Sequence, residues 1–321
     1  MSTDTRAFDV VALGEAMVEF NQTHPGQPQY LQGFGGDTSN AVLAAARAGA
    51  RTAYLTRLGT DPWGEALLQL WQGEGVDTSA VERDAVAPTG VYFVTHGAQG
   101  HAFSYLRAGS AASRMTPDWL THGAADLIAS ARWLHVSGIS LAISASACDT
   151  VLAAMAQARA NGTRVSLDSN LRLKLWPLAR AREVLSHAVG LCDLFLPSQD
   201  DVSVLIGQDQ PEAQLAWAQR LGAPTTVLKL GAQGCQVRHQ GQTWRLPGMT
   251  VPALDATGAG DCFAGNLLAR HCAGDDWVQA ARYANAAAAL SVQGYGAVEP
   301  LPRPAAVQAL LAGAGLSQPN P

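Results

Sequence analysis

The sequence predicts an α/β fold built on a mostly parallel central sheet, and three observations carry that expectation. Short β-branched or apolar runs alternate with longer Ala/Leu-rich stretches, the order that βαβ units impose. Gly reaches 32 of 321 residues while Pro, at 16, is ordinary, which indicates many tight turns and close backbone approaches and not disorder. The length allows one large domain or two smaller ones. No repeat or low-complexity segment divides the chain, so residues 1–321 are read as a single domain.

The strands follow from apolar runs at 10–13, 52–57, 133–136, 164–167, 194–196 and 226–230. Between them, Ala/Leu-rich stretches predict helices over 39–48, 62–72, 144–161, 179–187, 199–206 and 211–221. After residue 230 the rhythm changes to a hairpin, 234–239 and 243–246 around Gly241-Gln242, followed by helices near 260–272 and 277–292. Two segments, about 16–34 and 89–108, are strand-like and have no helix between their strands. They predict a small accessory sheet inserted at one end of the core. Such a sheet cannot bury both faces, so it is expected to cover a ligand as a lid, to form a homo-oligomer surface, or both. The tail 316–321 is expected to be disordered.

Composition narrows the function. With 21 Lys+Arg against 26 Asp+Glu the net charge is −5, and there is no basic run. Nucleic acid and membrane surfaces are therefore excluded as partners, since both need a dense positive field. The most apolar stretch, 138–158, contains Asp149 and several serines and reads as a loop and a buried helix, not a membrane span. Met1 to Arg6 is short and polar, without the basic and apolar regions of a signal peptide. Cys148, Cys192, Cys235, Cys262 and Cys272 are scattered, with no paired spacing, as expected of reduced thiols in a cytoplasmic protein.

The chemistry concentrates in Asp255-Ala256-Thr257-Gly258-Ala259-Gly260-Asp261. A small-residue turn running into a helix turns backbone amides and the positive helix end toward a ligand, which suits the charge of a transferring phosphoryl group. Asp261, in the first helical turn, could then take the proton of a substrate hydroxyl. The same residues in isolation would also serve as a Gly-rich turn whose acid balances the helix dipole.

Three further segments give this motif its setting: Lys229-Leu230-Gly231-Ala232-Gln233-Gly234 before it, an Ala-rich helix with Asn285 after it, and near the N-terminus Gly35-Gly36-Asp37-Thr38-Ser39-Asn40-Ala41 followed by Leu58-Gly59-Thr60-Asp61-Pro62-Trp63-Gly64. This ordering resembles the PfkB (ribokinase-like) carbohydrate kinases along nearly the whole chain. The resemblance implies a three-layer α/β/α fold with a β lid, and ATP with Mg²⁺ as cosubstrate, and it leaves room for a monovalent cation. It makes Asp261 the catalytic base and Gly258, Ala259 and Gly260 the anion hole. It turns Gly36 and Asn40, with Asp37, Thr38 and Ser39 between them, toward the sugar.

Arg107 and Arg172 each follow an expected strand, at the end where α/β proteins bind ligands. Two guanidinium groups converging on one pocket suit a carboxylate. With Thr89-Gly90-Val91-Tyr92, their segments resemble those of the 2-keto-3-deoxygluconate kinases, except that Leu106 stands where a tyrosine is expected. That resemblance implies phosphorylation of the sugar acid at its terminal 6-hydroxyl, with Tyr92, Tyr105, Arg107, Arg172 and Asp255 around the substrate. On the nucleotide side it implies Asn170, Arg172, Ser198, Lys229, Gly231, Gly234 and Asn285. The family's Asn-x-x-Glu element is here Ser198-Gln199-Asp200-Asp201. Asp201 would serve Mg²⁺ through water, while the same spacing also describes a helix cap. No residue is assigned as a direct metal ligand.

Three rivals remain. Two are a neutral-sugar kinase of the fructokinase or ribokinase type and a non-catalytic sugar-binding protein. The third, a dinucleotide-dependent oxidoreductase, lacks its glycine turn after the first strand, where Gly14-Glu15-Ala16-Met17 stands instead.

Overall fold

In the computed structural model, which describes residues 6–97, 100–121 and 123–314, the chain opens with β1 (Phe8–Leu13), an apolar run that enters the middle of a sheet. The accessory strands β2 (Met17–Gln22) and β3 (Tyr30–Gly35) precede α1 (Asp37–Arg47), β4 (Thr52–Leu55), β5 (Arg57–Gly59), α2 (Pro62–Gly73) and β6 (Glu82–Asp84). The other accessory pair, β7 (Gly90–Gly97) and β8 (Gly100–Leu106), leads through α3 (Gly123–Ala129) to β9 (Ala131–Ser137), α4 (Gly138–Ala142), α5 (Ala145–Ala160) and β10 (Arg164–Asp168). Then come α6 (Leu178–Val189), β11 (Leu194–Leu196), α7 (Gln199–Ile206), α8 (Pro211–Arg220), β12 (Thr225–Lys229) and the hairpin of β13 (Cys235–His239) and β14 (Gln242–Leu246). The described chain ends with α9 (Ala259–Cys272), α10 (Trp277–Ser291) and α11 (Pro304–Gly313).

The main sheet has the order β14-β13-β12-β11-β10-β9-β1-β4. It is parallel from β4 to β12 and antiparallel through the hairpin. Its strands read as continuous apolar runs because both faces are covered. On β1, Val11 and Leu13 pack beneath α5 and α6, while Val10 and Ala12 face the side carrying α1, α9 and α10. Helices α1 and α9 approach so closely that a Cβ on Gly265 would stand 2.1 Å from the Ala41 carbonyl oxygen. That contact admits only glycine. The accessory sheet has the order β3-β2-β7-β8 and springs from the C-terminal end of β1, where Gly14, Glu15 and Ala16 join the two sheets.

The expected α/β core, accessory sheet and hairpin are all present, with local differences. The run 52–57 is not one strand: β4 ends at Leu55, and β5 leaves the main sheet to pair with β6. The stretch 138–158 holds two helices, because Ser144 starts a new one by accepting from the Ala147 amide at 3.0 Å. The unexpected α11 begins at Pro304 and buries Val307 and Leu311, one turn apart. The tail 316–321 lies outside the described residues. All five thiols are free, and burial pushes the Cys262 thiol up to about 12. Among the described residues no helix is long and apolar enough to cross a membrane.

Candidate active site

The heads of α1 and α9 meet at one end of the sheet. Gly36 precedes α1 with φ 105°, and a Cβ there would stand 2.4 Å from the Glu15 carbonyl oxygen. Gly258 precedes α9 in the left-handed conformation, and no side chain caps the helix. The Ala259 amide donates to Ala256 O at 3.2 Å, which leaves the next amides of the turn, those of Gly260 and Asp261, to face an anion. Asp261 lies in this first turn and accepts from Asn40 Nδ2 at 2.8 Å. Its carboxyl is pushed up to about 8, first by burial and then by the like charge of Asp37, with Asp168 adding to it; Asn40 and Lys229 pull the other way. A carboxyl of this kind ionises near neutral pH and is then a far stronger proton acceptor than an ordinary aspartate.

Lys229, at the end of β12, pairs with Asp168 Oδ2 at the end of β10, and its Nζ would stand 3.3 Å from a Cβ on Gly260. The expected phosphate-side lysine therefore reaches the head of α9. Gly258 and Gly260 share that head; Gly258 backs onto Ala297, 3.0 Å from where its Cβ would be. Asp255 is buried and occupied: its carboxylate accepts from the Thr257 amide and hydroxyl at 2.9 and 2.6 Å and from the Gly296 amide at 2.9 Å. It fastens the turn before α9 to the loop that follows α10.

On the sugar side the structure separates residues that are adjacent in sequence. Asp37 is buried, accepts from Asn170 Nδ2 at 3.0 Å, and has its carboxyl raised by burial. The side chains of Thr38 and Ser39, between Asp37 and Asn40, take partners of their own. Thr38 Oγ1 shares a hydrogen bond with the Tyr54 hydroxyl at 3.0 Å, and Ser39 Oγ accepts from Trp71 Nε1 at 3.0 Å, both in the core. Tyr92 is buried and donates to Glu19, and its ring stacks on Tyr105 at 5.7 Å. Tyr105 is 41% exposed, and the charges of Arg172 and Arg107 both reach its hydroxyl. The two arginines differ. Arg107 is ion-paired with buried Glu15, whose other oxygen accepts from the Ser110 hydroxyl. Arg172 is exposed and donates to its neighbour's carbonyl, Leu171 O, at 2.8 Å.

Asn170 takes the left-handed backbone, φ 28°, which asparagine tolerates. Ser198 accepts from the Asp201 amide at 3.1 Å and so caps α7. Asp201 does not complete a capping box: its carboxylate accepts from Ser169 Oγ at 2.6 Å and from the Leu171 amide at 3.1 Å, fixing the turn that carries Asn170 and Arg172. Gly231 opens an exposed turn at φ 57°, and Gly234 packs where a Cβ would stand 2.2 Å from Leu246 O. Buried Asn285 donates to Pro247 O at 3.4 Å, beside the same hairpin. Among the described residues no group of three His, Cys, Asp or Glu could hold a metal. Sequence reasoning missed Glu15, Glu19 and Asp168; the available signals were acids at or just past the ends of apolar strands for Glu15 and Asp168, and an acid inside a strand for Glu19.

The sequence pattern described as the pfkB family carbohydrate kinase matches residues 7–304. A 2-dehydro-3-deoxygluconokinase of Thermoproteus tenax is 38% identical over 318 residues, covering 94% of this chain and 94% of its own. A double-mutant fructokinase of Vibrio cholerae, solved with fructose, ADP and potassium ion bound, is 30% identical with a TM-score of 0.84, covering 95% of this chain and 99% of that one. An Escherichia coli protein described as a ribokinase II, solved with ATP and Mg²⁺, is 25% identical with a TM-score of 0.87, covering 95% and 99% of the two chains.

Proposed function

The chain belongs to the pfkB family of carbohydrate kinases, and we propose that it transfers the γ-phosphoryl group of ATP to the terminal 6-hydroxyl of 2-keto-3-deoxygluconate. The observation that carries this reading is the exposed Arg172 guanidinium, whose charge meets that of Arg107 at the Tyr105 hydroxyl. A sugar carboxylate gives that charge a partner, and a neutral sugar does not. The 38% identical relative bears the matching name.

In this mechanism Asp261 takes the hydroxyl proton as the oxygen attacks phosphorus, and ADP leaves. Asn40 holds the carboxylate in line, and its buried Oδ1, which has no hydrogen-bond partner among the described residues, accepts from a sugar hydroxyl. The uncapped head of α9 and Lys229 fit the triphosphate, with Ser198, Gly231, Gly234 and Asn285 along the rest of the nucleotide. Mg²⁺ bound with ATP would neutralise the phosphates. Binding the carboxylate far from the reaction contributes by fixing the hydroxyl's position.

One observation favours a second reading, a neutral-sugar kinase: Glu15 already neutralises Arg107. ADP release measured over a panel of sugar acids and neutral sugars, with NAD(P) reduction followed in parallel, separates the two readings and tests the oxidoreductase as well. Efficient turnover of fructose or ribose with no turnover of sugar acids would reject the sugar-acid reading. We read residues 1–321 as one catalytic domain working in the cytoplasm, where free thiols persist. Exposed Tyr30, Leu31 and Leu106 on the accessory sheet support a homo-oligomer through that sheet. Light scattering would test this by mass.

A further inference from the structure

We propose that Asp168 is a positioning residue for phosphoryl transfer, holding the Lys229 ammonium against the head of α9. Asp168 is the last residue of β10 and only 4% exposed. Its two oxygens have separate partners. Oδ1 accepts from the Asn170 amide at 3.2 Å, which fixes the carboxylate plane, and Oδ2 takes the Lys229 ammonium. Lys229 is the last residue of β12, and between β10 and β12 lies β11, so the pair reaches across a whole strand at the sheet's end. The backbone of Lys229 is fixed by donation to Pro197 O at 2.8 Å and by a bridge to Ser198. Only the long side chain is left to be aimed.

That aim matters because Lys229 has competing carboxylates. Asp261 and Asp37 share the cleft with Asp168, and the ammonium's charge reaches Asp261. Behind it His135 is buried and kept neutral, its imidazole held down to about 3 by burial and by Lys229 itself. An ammonium on a flexible stem would otherwise settle on the base, quenching the group that must accept a proton. Asp168 holds it aside, next to Gly260, where the missing side chain lets it approach. A buried ion pair is a weak contributor to stability, so the pair is better explained by this placement than by folding.

The inference rests on the head of α9 being the phosphate site, and a mutant cycle keeps the two claims distinguishable. Lys229→Met, Asp168→Asn and the double variant are compared for kcat, for KM of ATP and sugar, and for melting temperature. Lys229→Met is expected to lower kcat by about tenfold or more, as for loss of one charged donor to a transferring group. Wild-type turnover there would reject the phosphate-site role of Lys229. Asp168→Asn is expected to lower kcat by about tenfold while sugar KM changes less than about twofold, a loss confined to the transfer step. In the Lys229→Met background, Asp168→Asn is expected to cost no further turnover. An equal further loss in that background would mean that Asp168 acts independently of Lys229, and overturns the proposal. The comparison of Lys229→Met with the double variant decides the matter even if Asp168→Asn alone fails to fold, because neither leaves a buried ammonium unpaired.

Discussion

Asn40 Nδ2 donates to Asp261 Oδ2 across 2.8 Å, joining the first turns of two helices that begin 222 residues apart, at Asp37 and Ala259. In the proposed mechanism Asn40 serves the sugar side of the cleft and Asp261 the phosphate side. Replacing Asp261 by Asn keeps the shape and removes the proton acceptor. Turnover should fall by about a hundredfold or more with little change in sugar KM, as measured by steady-state ADP release. Near-normal turnover would remove Asp261 from the mechanism.

The position of the Asp261 carboxyl near 8 also has a sign for stability. Its ordinary value is 3.8, so between that pH and about 8 the folded protein holds a proton the unfolded chain has lost. Its contribution therefore falls as pH rises through this window. Asp261→Asn should melt ~2 °C higher than wild type at pH 8, with the difference vanishing at pH 4. A constant difference across that range would contradict the raised carboxyl.

Asn40 stabilises the ionised form of Asp261. Asn40→Ala should move the acid limb of the kcat profile to higher pH, because a carboxylate that loses a donor holds its proton more tightly. An unmoved limb, with kcat changed at all pH values alike, would assign Asn40 to the sugar alone.

Arg172 is the exposed guanidinium of the pair beside Tyr105. Arg172→Leu should lower kcat/KM for the sugar acid by about a hundredfold, the scale of one charged bidentate contact. Its effect on a neutral sugar should stay within a few-fold. Equal losses on both substrates would contradict the carboxylate role.

Gly265 tests the helix contact beneath the site. Gly265→Ala puts a methyl into the Ala41 carbonyl. Overpacking of this kind costs about 1–3 kcal/mol, and forcing α1 from α9 should separate Asn40 from Asp261. Denaturant titration and kcat should both fall; a stable variant with lost turnover would show that the effect on the site exceeds the effect on the fold.

The parallel core was legible because strands covered on both faces read as unbroken apolar runs, as at Val10 to Leu13. The place of Asp261 in the first turn of α9 was legible because its neighbours are small and contiguous. The side-chain partners of Thr38 and Ser39 were not legible: successive helical residues point about 100° apart around the axis, so side chains adjacent in the motif reach the core, at Tyr54 and Trp71. The pairs Glu15–Arg107 and Asp168–Lys229 were not legible, since each joins ends of strands remote in the chain. A lone charge at a strand end does not announce its partner. For the same reason the hold of the Asp201 carboxylate on the Ser169–Leu171 turn was not legible.

The accessory sheet joins the core near Glu15, and Arg107, just past its last strand, returns to the same Glu15. The entry to the first strand of the sheet and the exit from its last are therefore latched at one point, while Asp261, Lys229 and Gly258 belong to the core. In the proposed mechanism the sheet and its edge supply Tyr92, Tyr105 and Arg107 to the substrate while Arg172 and Asn40 come from the core, so a change of sugar calls on both pieces and leaves Asp261 and Lys229 in place.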